Sequence, residues 1–255
     1  MSLEFLLPIV FGFFAAVLIG MSKTGIPGVS MPGILLMTFA FPGQERFSTG
    51  AILPVLIMGD MVGTSLYRKN IQWRIIRNLL PFAVTGIAIG AFALGNTSDK
   101  NFQMTLALVI LALMVFDQIR KYCHWESVGR NPVFGPILGV MTGFTTMYAN
   151  AGVPPMYVYM TSRNLDKEQY MATWVWLFCI LNLIKLPLSC HLGMINATTL
   201  FFIACYLLPG LLVGVFLGRR IFLWISEKHF LTVTFLGTVL ALIGMLLPVF
   251  RAFFD

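Results

Sequence analysis

The chain has 255 residues, of which 58% are hydrophobic and 11% charged, with a formal net charge of +7. Soluble domains carry roughly 25% charged residues, so this composition excludes an ordinary soluble domain, and the apolar excess excludes intrinsic disorder. Mean hydropathy is +0.86, and at ~20 residues per span the length suits a single polytopic transmembrane domain over 1–255 with about 8–10 helical segments.

The first apolar segment, 3–21, carries Glu4 instead of a positive leader, which makes it a retained helix rather than a signal peptide. A Gly- and Pro-rich break follows at Gly20 to Pro32, GMSKTGIPGVSMP, and then a short apolar segment, 31–41, with Pro32 suited to its first turn. The third segment, 47–67, holds Asp60 within MGDMVGTS. Arg68, Lys69, Arg74 and Arg77 surround Trp73 before the fourth segment, 75–94, which carries Pro81, Gly86 and Gly90. A loop with little positive charge at Asn96–Lys100 precedes the fifth segment, 102–120. Arg120, Lys121 and Arg130 then surround Trp125.

The pattern starts again at 132–146. A second break, Gly143 to Pro155, reads GFTTMYANAGVPP, and a second short segment follows at 154–162. Segment 171–188 holds Lys185, and the Cys190–Asn196 loop carries little positive charge. Segment 198–217 repeats the proline and glycine spacing with Pro209, Gly214 and Gly218. Arg219, Arg220 and Lys228 surround Trp224 before the last segment, 230–249. Two repeats are therefore expected, about 3–121 and 132–250, each of five segments whose second is short.

Basic loops flanked by aromatic residues should be cytoplasmic. The loop after the third segment is basic in the first half and nearly neutral in the second, and the loop after the fourth segment shows the reverse. Equivalent loops then lie on opposite sides, as in inverted repeats, which requires each short segment with its lead-in to cross. The expected fold is an all-α polytopic membrane protein of two inverted repeats, each with one short broken helix.

A helix that starts inside the membrane presents unpaired N–H groups and the positive end of its dipole. Two such starts converging near the midplane form an anion site, most often that of a transporter. Ser22, Thr24 and Ser30, with Thr145, Thr146 and Asn150, add hydrogen-bonding side chains. Gly25, Gly28 and Gly152 permit close backbone approach, although such glycines also serve helix packing. Lys23 and Lys185 either supply positive charge or snorkel to the surface. Tyr148 either donates to a substrate or packs. Asp60 either couples transport to a proton or forms a structural ion pair with Lys23, Lys185 or Arg68. On this reading Lys23→Ala weakens anion binding and leaves folded yield largely intact.

His124, His191 and His229 fit no zinc spacing, and there is no GxSxG, GxGxxG or Walker A motif. Cys123, Cys179, Cys190 and Cys205 show no CxxC pairing. No enzyme activity, metal or cofactor is expected. No basic stripe with stacking aromatics suggests nucleic acid. The partners expected are lipid, a small anion and a coupling proton or cation. Small-residue spacing leaves oligomerisation open. A cation-coupled or cation-selective carrier using Asp60, and a non-transporting membrane scaffold, are the rival readings.

GMSKTGIPGVSMPGILL, its echo GFTTMYANAGVPPMYVY and the two P-x4-G-x3-G helices resemble the sulfite exporter TauE/SafE family of membrane permeases over essentially the whole chain. The resemblance implies export or exchange of small sulfur-containing anions, such as sulfite or organosulfonates, across a bacterial inner membrane. Lys23 with Ile26-Pro27, and the bulky Met147 and Tyr148, depart from the family's usual glycine runs.

Overall fold

The structure, a computed structural model, describes residues 3–41, 45–96, 115, 134–196, 200–201, 203–227, 229–237 and 239. The fifth segment apart from residue 115, the Trp125 loop, residues 97–100, Lys228 and the chain beyond 239 lie outside the described residues. What is described is helical, without strands, and five of its helices are long and apolar enough to cross a bilayer. The protein is an all-α polytopic membrane protein.

In the first half, α1 spans Leu3–Thr24, α2 Ser30–Ala40, α3 Glu45–Leu66 and α4 Trp73–Asn96. In the second, α5 spans Phe134–Ala149, α6 Val153–Thr161, α7 Lys167–His191 and α8 Leu208–Trp224, with further helix at 229–237. The short helices fall where the sequence places them. Some boundaries differ: Arg219 and Arg220 belong to the end of α8, and Cys190 and His191 to the end of α7, rather than to loops. The Arg219 guanidinium lies over the Tyr67 ring and that of Arg220 over the Trp224 ring. Arg74 and Arg77 likewise sit in the first turns of α4.

The packing is reciprocal between the halves. α1 lies along α8, and α4 lies along α5. A Cβ on Gly20 would strike the backbone of Leu211 and Val215, and a Cβ on Gly143 would strike that of Ala83 and Ile87. Gly214 abuts the Val17 carbonyl as Gly86 abuts the Val140 carbonyl. The P-x4-G-x3-G spacing is thus the sequence trace of two equivalent helix seams, where small residues let backbones meet. α3 packs on α7 between them.

The Tyr67 ring meets Phe222 at 5.1 Å, which puts the Arg68–Lys69 loop beside the basic end of α8. The weakly charged 190–196 stretch lies elsewhere, with its Met194 carbonyl against Gly50 near the start of α3. Phe92, Phe201, Leu212 and Phe216 are exposed on the outer faces. Such a surface suits lipid, and the polar residues turn inward.

Candidate functional site

Each break is built by local chemistry. Ile26 is extended, with φ −131° and ψ 99°, the conformation favoured before a proline. Pro27–Val29 then makes one 3₁₀ turn into α2. The Ser22 and Ser30 hydroxyls both donate to the Pro27 carbonyl, at 2.7 and 3.0 Å, and fix that turn. In the second half Asn150 takes the left-handed region, φ 55°, and ends α5. Gly152 then leads into α6, whose first turn carries Pro154 and Pro155. Neither short helix has a side-chain cap at its N-terminus. The Ser30 N–H is taken up by the Gly28 and Pro27 carbonyls of the 3₁₀ turn, and Pro32, Pro154 and Pro155 have no N–H, so what the two starts offer is chiefly the positive ends of their dipoles.

Both helix starts reach one narrow, buried cavity. Ser30 and Val153, the first residues of α2 and α6, line it with Lys23, Thr146, Asn150 and Asn182. Trp174 and Phe178 supply apolar wall. The space suits about one water-sized body, so a larger solute needs the helices to part.

The charges around it are paired. Lys23 Nζ lies 2.7 Å from Asp60 Oδ1, and both side chains are buried. It also stands 5.3 Å from the centroid of the Phe178 ring, a cation–π distance. Asn182 Nδ2 donates to Asp60 Oδ2 at 2.6 Å. Lys185 Nζ donates to the Thr146 carbonyl at 2.8 Å, to the Thr146 hydroxyl at 3.3 Å and to Asn150 Oδ1. An ammonium at the last carbonyls of α5 complements that helix's negative end. Formally the cluster holds two cations to one carboxylate.

The structure therefore brings Lys23, Ser30, Asp60, Thr146, Asn150 and Lys185 together. Both lysines point into protein rather than snorkelling. The other sequence candidates are not in the lining of the cavity. The Thr24 hydroxyl donates across the seam to the Val215 carbonyl at 2.9 Å. The Thr145 hydroxyl bonds back to the Met141 carbonyl at 2.7 Å. Tyr148 stacks on Phe144. Gly25 makes room for Gly218, Gly28 for Thr234, and Gly152 for Phe178 and Thr146. Ser22 serves the turn at Pro27.

The sequence model of the Sulfite exporter TauE/SafE family matches residues 8–247. The chain belongs to the sulfite exporter TauE/SafE family. Membership makes it an integral membrane transporter of sulfite or related anions, in a family of transporters rather than enzymes. Neither a curated protein nor a solved structure matches the chain.

In this TauE/SafE chain, sequence reasoning missed Asn182, Trp174 and Phe178 as parts of the site. A signal existed for two of them: Phe178, Asn182 and Lys185 stand at i, i+4 and i+7 on α7 and share one helix face. Trp174 extends the same row by one turn.

Proposed function

We propose that the protein exports a small sulfur-containing anion, such as sulfite or an organosulfonate, by alternating access between two inverted repeats. The observation that carries this reading is that the uncapped starts of α2 and α6, one from each half, open on the same cavity beside Lys23. Anionic oxygens there meet the positive ends of two helix dipoles and an ammonium at once. The formal excess of cation in the cluster favours a negative solute.

The reciprocal seams support the rocking of one unit against another around a fixed site. The confined cavity fits an occluded state of that cycle. Asp60 is the coupling residue. An anion bound beside Lys23 competes with Asp60 for the ammonium, and a carboxylate released from its cation is free to bind a proton. Anion and proton movement are then linked through one ion pair.

The test is sulfite counterflow in proteoliposomes, with thermal stabilisation by sulfite, thiosulfate, sulfate, taurine, carboxylates and monovalent cations measured in parallel. A ligand that binds only the folded protein raises its apparent stability with concentration. Flux and stabilisation by sulfite or a sulfonate are expected. Response to cations alone would replace this reading with a cation carrier centred on Asp60.

A further inference from the structure

Asn182 is 1% exposed, in the middle of α7. Its amide orientation is set by chemistry. An ionised carboxylate only accepts hydrogen bonds, so the NH₂ group must be the part turned to Asp60. Oδ1 is left on the other side, and Asn182 lines the cavity. Among the described residues this buried oxygen has no hydrogen-bond partner. Three side-chain donors around it have other partners: Lys23 turns to Asp60, Lys185 to Thr146 and Asn150, and the Ser30 hydroxyl to Pro27. A buried acceptor without a donor is costly, and proteins rarely keep one without a reason.

We infer that Asn182 reads a hydrogen on the transported anion. Oδ1 accepts from an N–H or O–H carried by the solute, while the solute's charged oxygens face Lys23 and the starts of α2 and α6. The inference rests on the anion-transport reading and narrows its substrate class. Hydrogen-bearing monoanions, such as a protonated sulfur oxyanion or a sulfonate with an amino or hydroxyl group next to it, are preferred over bare anions of the same size. A site built around a hydrogen bond discriminates strongly against an analogue that cannot make it, because the buried group is then left unpaired.

The test uses the full-length purified protein at neutral pH and two isosteric monoanions, sulfamate and methanesulfonate, which differ only in NH₂ against CH₃. Their affinities are measured by competition with sulfite. Sulfamate is expected to bind at least about tenfold more tightly. In Asn182→Leu that preference collapses, through weaker sulfamate binding. Sulfite binding with no sulfamate preference in the unmodified protein overturns the inference alone and leaves anion transport standing. Failure of sulfite itself to bind overturns the anion reading and takes the inference with it. The comparison on the unmodified protein decides the question even where the variant does not fold.

Discussion

Lys23 and Asp60 form a buried ion pair that ties the end of α1 to α3, with 2.7 Å between Nζ and Oδ1. Asn182 holds the second carboxylate oxygen, so α1, α3 and α7 meet at one charge cluster. Desolvation offsets much of the attraction in such a pair. Its larger consequence is the cost of leaving either partner alone.

Removing one partner should therefore cost stability as well as binding. The sequence alone suggests that Lys23→Ala spares folded yield, and the ion pair revises that expectation. Lys23→Met and Asp60→Leu should each destabilise by about 3–5 kcal/mol, and the double variant should recover most of the loss. Thermal unfolding of the four proteins in detergent checks this. Single variants as stable as the parent would show that the pair is not desolvated.

Lys185 carries the second charge. Lys185→Met leaves the Thr146 carbonyl and Asn150 Oδ1 without their donor, which should cost about 1–3 kcal/mol. Sulfite affinity should fall about tenfold or more, since one of two local cations is gone. Thr146→Val removes only the 3.3 Å hydroxyl contact and should change affinity far less. Equal losses in the two variants would assign Lys185 a packing role alone.

Much of this was legible in the sequence. The breaks could be found because Pro27 and the Pro154-Pro155 pair, with the glycines around them, act through local backbone rules that need no tertiary context. Asp60 and Lys185 stood out because charge inside apolar sequence is rare. The partition among candidates was not legible. Ser22 and Ser30 have the same chemistry and both bond Pro27, yet only Ser30 lines the cavity. Gly25 and Gly28 look like substrate-facing glycines, and what they admit is Gly218 and Thr234. That distinction depends on which helix packs against which, and a pattern of small residues does not encode it. Asn182 was overlooked because a lone amide in a long apolar helix carries no charge to mark it.

The duplicated seams make a paired prediction. Gly143→Val forces a side chain into the Ala83 carbonyl, and Gly20→Val forces one into the Leu211 carbonyl. Backbone cannot give way as a flexible side chain can, so each should destabilise by about 1–3 kcal/mol or more. Losses should be similar in the two halves because the contacts are equivalent. Gly95→Ala, whose nearest neighbour is Leu192 Cδ2 at 3.5 Å, is the control and should be tolerated. Melting temperatures and folded yield check the set. A fully stable Gly143→Val would contradict the close seam.

Tyr67, just past α3, offers a test by pH. Its hydroxyl donates to the Thr24 carbonyl at 2.6 Å and so holds the end of α1 against α3. Burial pushes its pKa up to about 12, against the opposing effect of Arg219. The unfolded chain gives up this proton near 10. Between those values the folded state binds more protons than the unfolded one, so Tyr67's contribution to stability falls as pH rises. Tyr67→Phe should be less stable than the parent by about 1 kcal/mol below that window, through the lost hydrogen bond. The gap should narrow through the window, because phenylalanine has no proton to lose. Denaturant unfolding of the two proteins at pH values below and inside the window measures it. A gap that stays constant would mean that Tyr67 ionises alike in both states and that its hydroxyl is not held against α1.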